Sequence, residues 1–188
     1  MSAPADETPG AILSWWRAAG RARWFGGGPA FDAEVRARLL PAYQDAATGR
    51  LDTWARTPEG AAALLILLDQ VPRNVFRGTP AAFATDGAAL AQAESAVARG
   101  FDAAPEVNAP PSLRGFFYLP FMHAEDAARQ ARCVALYRAA GDADGLAYAL
   151  VHQEAITRFG RFPHRNPILG RAMTAEEQAY LHAGGFSG

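Results

Sequence analysis

The segment Thr57-Pro58-Glu59-Gly60-Ala61-Ala62-Ala63-Leu64-Leu65-Ile66-Leu67-Leu68-Asp69-Gln70 carries a full set of helix signals. Thr57 offers an N-cap hydroxyl, and Pro58 stands at the first helical position, where its missing N–H is not needed. Ala and Leu follow, both strong helix formers. Leu64, Leu65 and Leu68 share one face. The apolar run from Ala61 to Leu68 is far shorter than the roughly 20 residues needed to span a bilayer.

The same punctuation recurs at Thr8-Pro9 and Thr79-Pro80. Ser112 and Thr174 are further cap candidates, and Glu177 completes a capping box with Thr174. Ile12, Trp15 and Trp16 repeat the apolar spacing, as do Leu146, Leu150 and Val151. Alternating β-branched runs are absent. Helices are predicted near 9–20, 31–48, 58–70, 80–99, 112–119, 121–140, 143–160 and 174–183. Joints such as Gly26-Gly27-Gly28-Pro29 and Ala109-Pro110-Pro111 connect them. The fold expected is all-α with about eight helices, either a compact bundle or an α-α superhelix.

Composition narrows the function. The chain has 188 residues, a formal charge of -1 and one cysteine. That length suits one domain over residues 9–188, after a disordered lead-in over residues 1–8. The lone Cys133 forms no internal disulfide, which fits a reducing, cytoplasmic setting. The near-neutral charge argues against nucleic-acid binding. No segment suits a signal peptide or a membrane span. All 18 cationic side chains are Arg, which excludes a Schiff-base or P-loop lysine. No dinucleotide, P-loop, zincin, nucleophile-elbow or C-x-x-C motif is present, so no cofactor is expected.

Polar residues gather in three places. In Asp69-Gln70-Val71-Pro72-Arg73-Asn74-Val75-Phe76-Arg77, Pro72 is expected to stop the helix near Gln70. Asp69 then needs a cation, and Arg73 and Arg77 are nearest. In Phe116-Phe117-Tyr118-Leu119-Pro120-Phe121-Met122-His123-Ala124-Glu125, the aromatic run is core. His123 and Glu125 point about 200° apart on a helix, so their spacing gives no metal site. Glu125 has the (i, i+4) spacing to pair with Arg129. The third place, His152 to Arg171, is the densest. Glu154 and Arg158 have pairing spacing, and Gly160 suits a left-handed C-cap. Pro163 and Pro167 are expected to hold His164-Arg165-Asn166 in a stiff, extended turn, anchored by Phe159 and Phe162. Arg158, Arg161, Arg165 and Arg171 supply forks for carboxylate or phosphate. The same guanidinium groups equally suit a loop stitched down by protein acceptors.

The strings Asp69-Gln70-Val71-Pro72-Arg73-Asn74, Phe117-Tyr118-Leu119-Pro120-Phe121-Met122-His123 and Arg158-Phe159-Gly160-Arg161-Phe162-Pro163-His164-Arg165-Asn166 resemble the DUF924 family, which is largely bacterial. The likeness runs from about Ile12 to Leu181. Val71 stands where the family pattern has Phe, and Ala124 where it has Ser, so no hydroxyl nucleophile exists there. The resemblance implies a TPR-like superhelical fold and no established activity. The family pattern highlights Asp69, Arg73, Asn74, Arg77, Asp86, His123, Glu125, His152, Arg158, Arg161, His164, Arg165, Asn166 and Arg171. Spacing picks out nearly the same set, which points to one shared site.

Three functions compete. In the first, a polar pocket binds a small anion, a carboxylate or phosphate, in a hydrolase- or lyase-type enzyme or a binding protein. Arg73, Asn74, Arg77, Arg158, Arg161, Arg165, Asn166 and Arg171 would hold the ligand. His123, His152 and His164 would move protons, and Asp69 and Glu125 would orient them or act as bases. In the second, a TPR-like groove binds a peptide or protein. In the third, the polar strings form a buried ion-pair network that fixes helix register.

Overall fold

The computed structural model describes residues 7–188. Residues 1–6 of the expected lead-in lie outside the described residues. Every regular element among the described residues is helical. The α-helices are α1 (Pro9–Ala19), α2 (Arg21–Gly26), α3 (Gly28–Ala47), α4 (Pro58–Leu65), α5 (Val71–Val75), α6 (Asp86–Ala98), α7 (Pro105–Asn108), α8 (Leu119–His123), α9 (Ala127–Ala140), α10 (Ala143–Phe159) and α11 (Ala175–His182). Short 3-10 turns lie between several of them. The chain is therefore cut into more and shorter pieces than the eight helices expected. Contacts gather the described residues into two compact units, residues 7–77 with 81–120, and residues 78–80 with 121–188.

The first unit is built on α4. Thr57 caps it, accepting from the Gly60 N–H at 3.1 Å. Gly60 through Leu65 are all buried. A Cβ on Gly60 would collide with the Trp54 carbonyl, so only glycine admits the preceding 3-10 turn at this distance. Trp16 of α1 sits in an aromatic cluster with Trp24, Phe31 and Phe116, at centroid distances of 5.8–6.4 Å. The Gly26-Gly27-Gly28 joint is a tight corner, because a Cβ on Gly27 would strike Phe31 and the Arg23 carbonyl.

Pro72 does not stop the helix. Val71 keeps right-handed helical angles, φ -55° and ψ -46°. Instead, Ile66–Gln70 forms a π-helical segment, and the Val71 N–H reaches back to the Ile66 carbonyl. The extra residue moves Pro72 to the start of the next helical turn, α5, where its ring is tolerated. Pro72 still has no N–H for the Leu68 carbonyl four residues back. Thr85 supplies the donor through its hydroxyl, at 2.6 Å. The helix expected over 80–99 likewise divides, into a 3-10 turn (Pro80–Phe83) and α6.

The second unit contains the hairpin of α9 and α10. Asp126 caps α9 by accepting from the Arg129 N–H at 2.9 Å. Gly141 ends α9 at φ 69°, and Asp142 caps α10 by accepting from Gly145. Two residues thus turn the chain, and Gly145 leaves room for the Tyr137 ring. Gly160 closes α10 in left-handed geometry, as its position predicts. The following Pro163–Arg165 segment is a 3-10 turn rather than an extended one. The fixed φ of Pro163 suits its first helical position. The Thr174–Glu177 capping box is present at the start of α11. No helix among the described residues is long and apolar enough to cross a membrane.

Candidate functional site

The predicted residues divide between the units. Asp69, Arg73, Asn74 and Arg77 belong to the first. Asp69 is 1% exposed. Its carboxylate accepts from Gln70 Nε2 at 2.5 Å and lies 3.3 Å from Arg73 Nη1. Arg73 also donates to the Asp69 carbonyl at 2.6 Å and pairs with Asp86 at 3.0 Å. This is an acid–guanidinium clasp around the π segment. Asn74 is buried on α5. Arg77 is 63% exposed and forks onto Asp32, at 2.8 and 2.9 Å.

The second unit holds His123, Glu125, His152, Arg158, Arg161, His164, Arg165, Asn166 and Arg171. Four of them stitch down the loop after α10. Glu125 accepts from Arg171 at 2.6 and 2.9 Å and from the Phe162 N–H at 2.8 Å. Burial pushes its carboxyl up, but the Arg171 bonds, the Phe162 N–H and the charges of Arg171 and Arg165 outweigh that and hold it down. Arg161 forks onto Glu177, at 2.6 and 2.9 Å, and reaches the Ala172 carbonyl. The Arg161 bonds hold the Glu177 carboxyl down at about 2. Arg158 meets Glu176 at 2.9 Å, so its partner is not set by the (i, i+4) spacing to Glu154. Arg129, which the same spacing offers to Glu125, pairs with Asp126 at 3.7 Å.

The His152 and His164 rings sit beside Phe162, whose side chain is fully buried. The His152 ring lies 5.6 Å from the Phe162 ring and 6.4 Å from that of His123. The His164 ring lies 5.7 Å from Phe162 on the same centroid measure. The Arg165 guanidinium stands 4.7 Å over the Phe162 ring and is 7% exposed. Asn166 is fully buried, its amide 3.5 Å from Met173 sulfur.

This neighbourhood is largely buried, and the Arg165 guanidinium lies near the Glu125–Arg171 pair. Burial, then the neighbouring His123, lowers the His152 pKa to about 3, with Arg165 and His164 adding to the effect. Burial and Arg165 lower that of His164 to about 4, against an opposing pull from Glu125. Both rings are therefore neutral at pH 7. His152 Nδ1 is 2.8 Å from the Tyr148 carbonyl. A carbonyl only accepts, so Nδ1 carries the proton and Nε2 keeps a lone pair. A neutral imidazole with a fixed tautomer has a lone pair to offer a proton, and the Arg165 guanidinium suits an anion. No group of three or more His, Cys, Asp or Glu among the described residues has metal-binding geometry.

Spacing alone misses three participants. Gln130 is fully buried and donates to the Met122 and Ala124 carbonyls at 2.7 and 2.8 Å, which fixes the backbone on both sides of His123. Glu177 reads as a cap residue, yet it also holds Arg161. Phe186 lies in a Gly-rich tail with no periodicity, and its ring sits 4.0 Å from that of His152.

The described architecture has a close counterpart. A solved structure titled "Structure of Protein of Unknown Function ATU0120 from Agrobacterium tumefaciens" is 43% identical, with a TM-score of 0.87 over 94% of this chain and 97% of that one. No curated protein matches the chain. A family model described as "Bacterial protein of unknown function (DUF924)" matches residues 12–185, nearly the whole of the described chain. The chain belongs to the DUF924 family.

Proposed function

We propose that the second unit binds a small carboxylate or phosphate beside His123, His152, His164 and Arg165, and that His152 is its proton acceptor. The carrying observation is that the His152 and His164 rings and the Arg165 guanidinium lie against the Phe162 ring, with the His123 ring 6.4 Å from that of His152. An anion placed there would oppose the cationic neighbours that add to burial in depressing the two histidines, so binding would be linked to proton uptake. With a bound anion raising its pKa toward neutrality, His152 would suit general-base chemistry of the hydrolase or lyase type. Arg158, Arg161 and Arg171 are given a different part, since carboxylates neutralise each of them. For those three, the ion-pair reading of the loop is favoured. The TPR-like arrangement belongs to the same proposal, supported by the α9–α10 hairpin with its two-residue turn. A cytoplasmic setting is likewise proposed, from the single buried thiol of Cys133.

The test is calorimetric titration of phosphate and acetate into the wild type and Arg165→Gln at pH 6. The proposal expects binding in the wild type with a heat that depends on buffer ionisation. It expects that binding to fall at least about tenfold in the variant, a difference of about 1.4 kcal/mol. Absence of binding by either anion to the folded wild type would overturn it.

A further inference from the structure

The tail after α11 brings an aromatic ring onto the imidazole cluster. Gly184 takes φ +82°, and a Cβ on Gly185 would run into the Tyr180 ring, so the two glycines let the chain fold back on α11. The Gly185 N–H donates to the Tyr180 carbonyl at 2.9 Å, and the Phe186 N–H donates to Tyr180 Oη at 3.0 Å. Phe186 then stands in a box of three rings. His152 is 4.0 Å away, His164 is edge-on at 5.0 Å and interplanar angle 90°, and Phe162 is at 5.8 Å and 69°. Gly188 follows over His164, where an added Cβ would come 3.2 Å from Cδ2.

Phe186 remains only partly buried although its neighbours are core. It is reached not along a helix face but through two glycines, the Gly185 N–H bond to the Tyr180 carbonyl and the Phe186 N–H bond to Tyr180 Oη. Its box is lined by two of the histidines and the aromatic ring that define the candidate anion site. The geometry thus has the form of an aromatic subsite filled by the chain's own side chain.

We infer that the ligand of this site carries a planar aromatic ring beside its anionic group, and that Phe186 occupies the ring's place until the Gly184-Gly185 hinge swings it out. This rests on the anion-site reading and adds the ligand's class to it. Edge-on and tilted contacts between rings favour aromatic over aliphatic occupants. The anionic group would lie toward His164 and Arg165, with the ring between His152 and Phe162.

The experiment compares benzoate with acetate, each titrated into the wild type, Phe186→Ala and Phe186→Tyr, with a thermal melt of each protein. Removing the internal competitor is expected to tighten benzoate by about tenfold in Phe186→Ala. Acetate affinity is expected to change by less than about twofold, and Phe186→Tyr, which keeps the ring, should behave as the wild type. If the alanine variant does not fold, Phe186→Leu carries the comparison, because it keeps apolar bulk without the ring. Equal benzoate affinity in the wild type and the ring-less variant, with both anions bound, would overturn the aromatic subsite and leave the anion site standing. Failure of both anions to bind any of the folded proteins would overturn both.

Discussion

The Thr85 hydroxyl donates to the Leu68 carbonyl at 2.6 Å, the carbonyl to which Pro72 has no N–H to offer. A side chain thirteen residues beyond the proline thus completes the backbone bonding that lets the π segment run on into α5. Both groups are buried, so an unmet carbonyl would carry its full desolvation cost. Thr85→Val keeps the shape and removes the donor. It is expected to lower unfolding free energy by about 1–3 kcal/mol in urea titration, with Thr85→Ser close to wild type. Pro72→Ala returns an N–H, so the double variant should lose less than the two single losses added. Strict additivity would show that the bond has no such role.

Glu125 and Arg171 form a second coupled pair, 46 positions apart in the chain. Glu125→Gln leaves Arg171 without its counter-charge and weakens the hold on the Phe162 N–H. Both side chains are a quarter exposed, so the expected cost is modest, about 1–2 kcal/mol. Pairing Glu125→Gln with Arg171→Met should cost less than the sum of the two. The Glu125 charge also supports protonation of His164, so the same variant should lower the His164 pKa further, as read by NMR titration.

Stability should respond to pH in two windows. His152 and His164 have folded pKa values near 3 and 4, below the ordinary imidazole value. Between about pH 6.5 and those values the unfolded chain binds more protons, so stability is full above about 6.5 and falls as pH drops. Glu177, held at about 2, adds stability above the ordinary carboxylate value that is lost as pH falls from about 4.5 toward 2. Thermal melts from pH 8 to 3 should show the midpoint declining already below about pH 6.5. The variant His152→Gln should flatten that upper window, and Glu177→Gln should flatten only the lower one. A midpoint constant from pH 7 down to 5 would contradict the buried, neutral histidines.

Much of this architecture is legible in local sequence, and the exceptions share one cause. Thr8, Thr57 and Thr174 each cap the helix that the Thr-Pro or capping-box pattern predicts. The long helix over 143–160 and the short one over 174–183 fall within a residue or so of the observed α10 and α11. The missed features depend on partners distant in the chain. Pro72 reads as a stop because its ring disfavours helical geometry at Val71, and nothing local announces the π segment or the distant Thr85 donor that let the helix run on. Glu125 and Arg158 read as local pairs because (i, i+4) neighbours are all that spacing can see. Their observed partners, Arg171 and Glu176, are 46 and 18 positions away. The imidazoles read as proton carriers from residue type. The Phe162 ring beside His152 and His164, and the Phe186 ring against the same two, carry no polar signal.

In the proposed function His123, His152, His164 and Arg165 together make an anion site. Long-range proton–nitrogen NMR of the imidazoles, recorded across pH with and without phosphate, tests it most directly. Phosphate is expected to raise the pKa values of His152 and His164 in the wild type. Identical titration curves with and without saturating phosphate would contradict it.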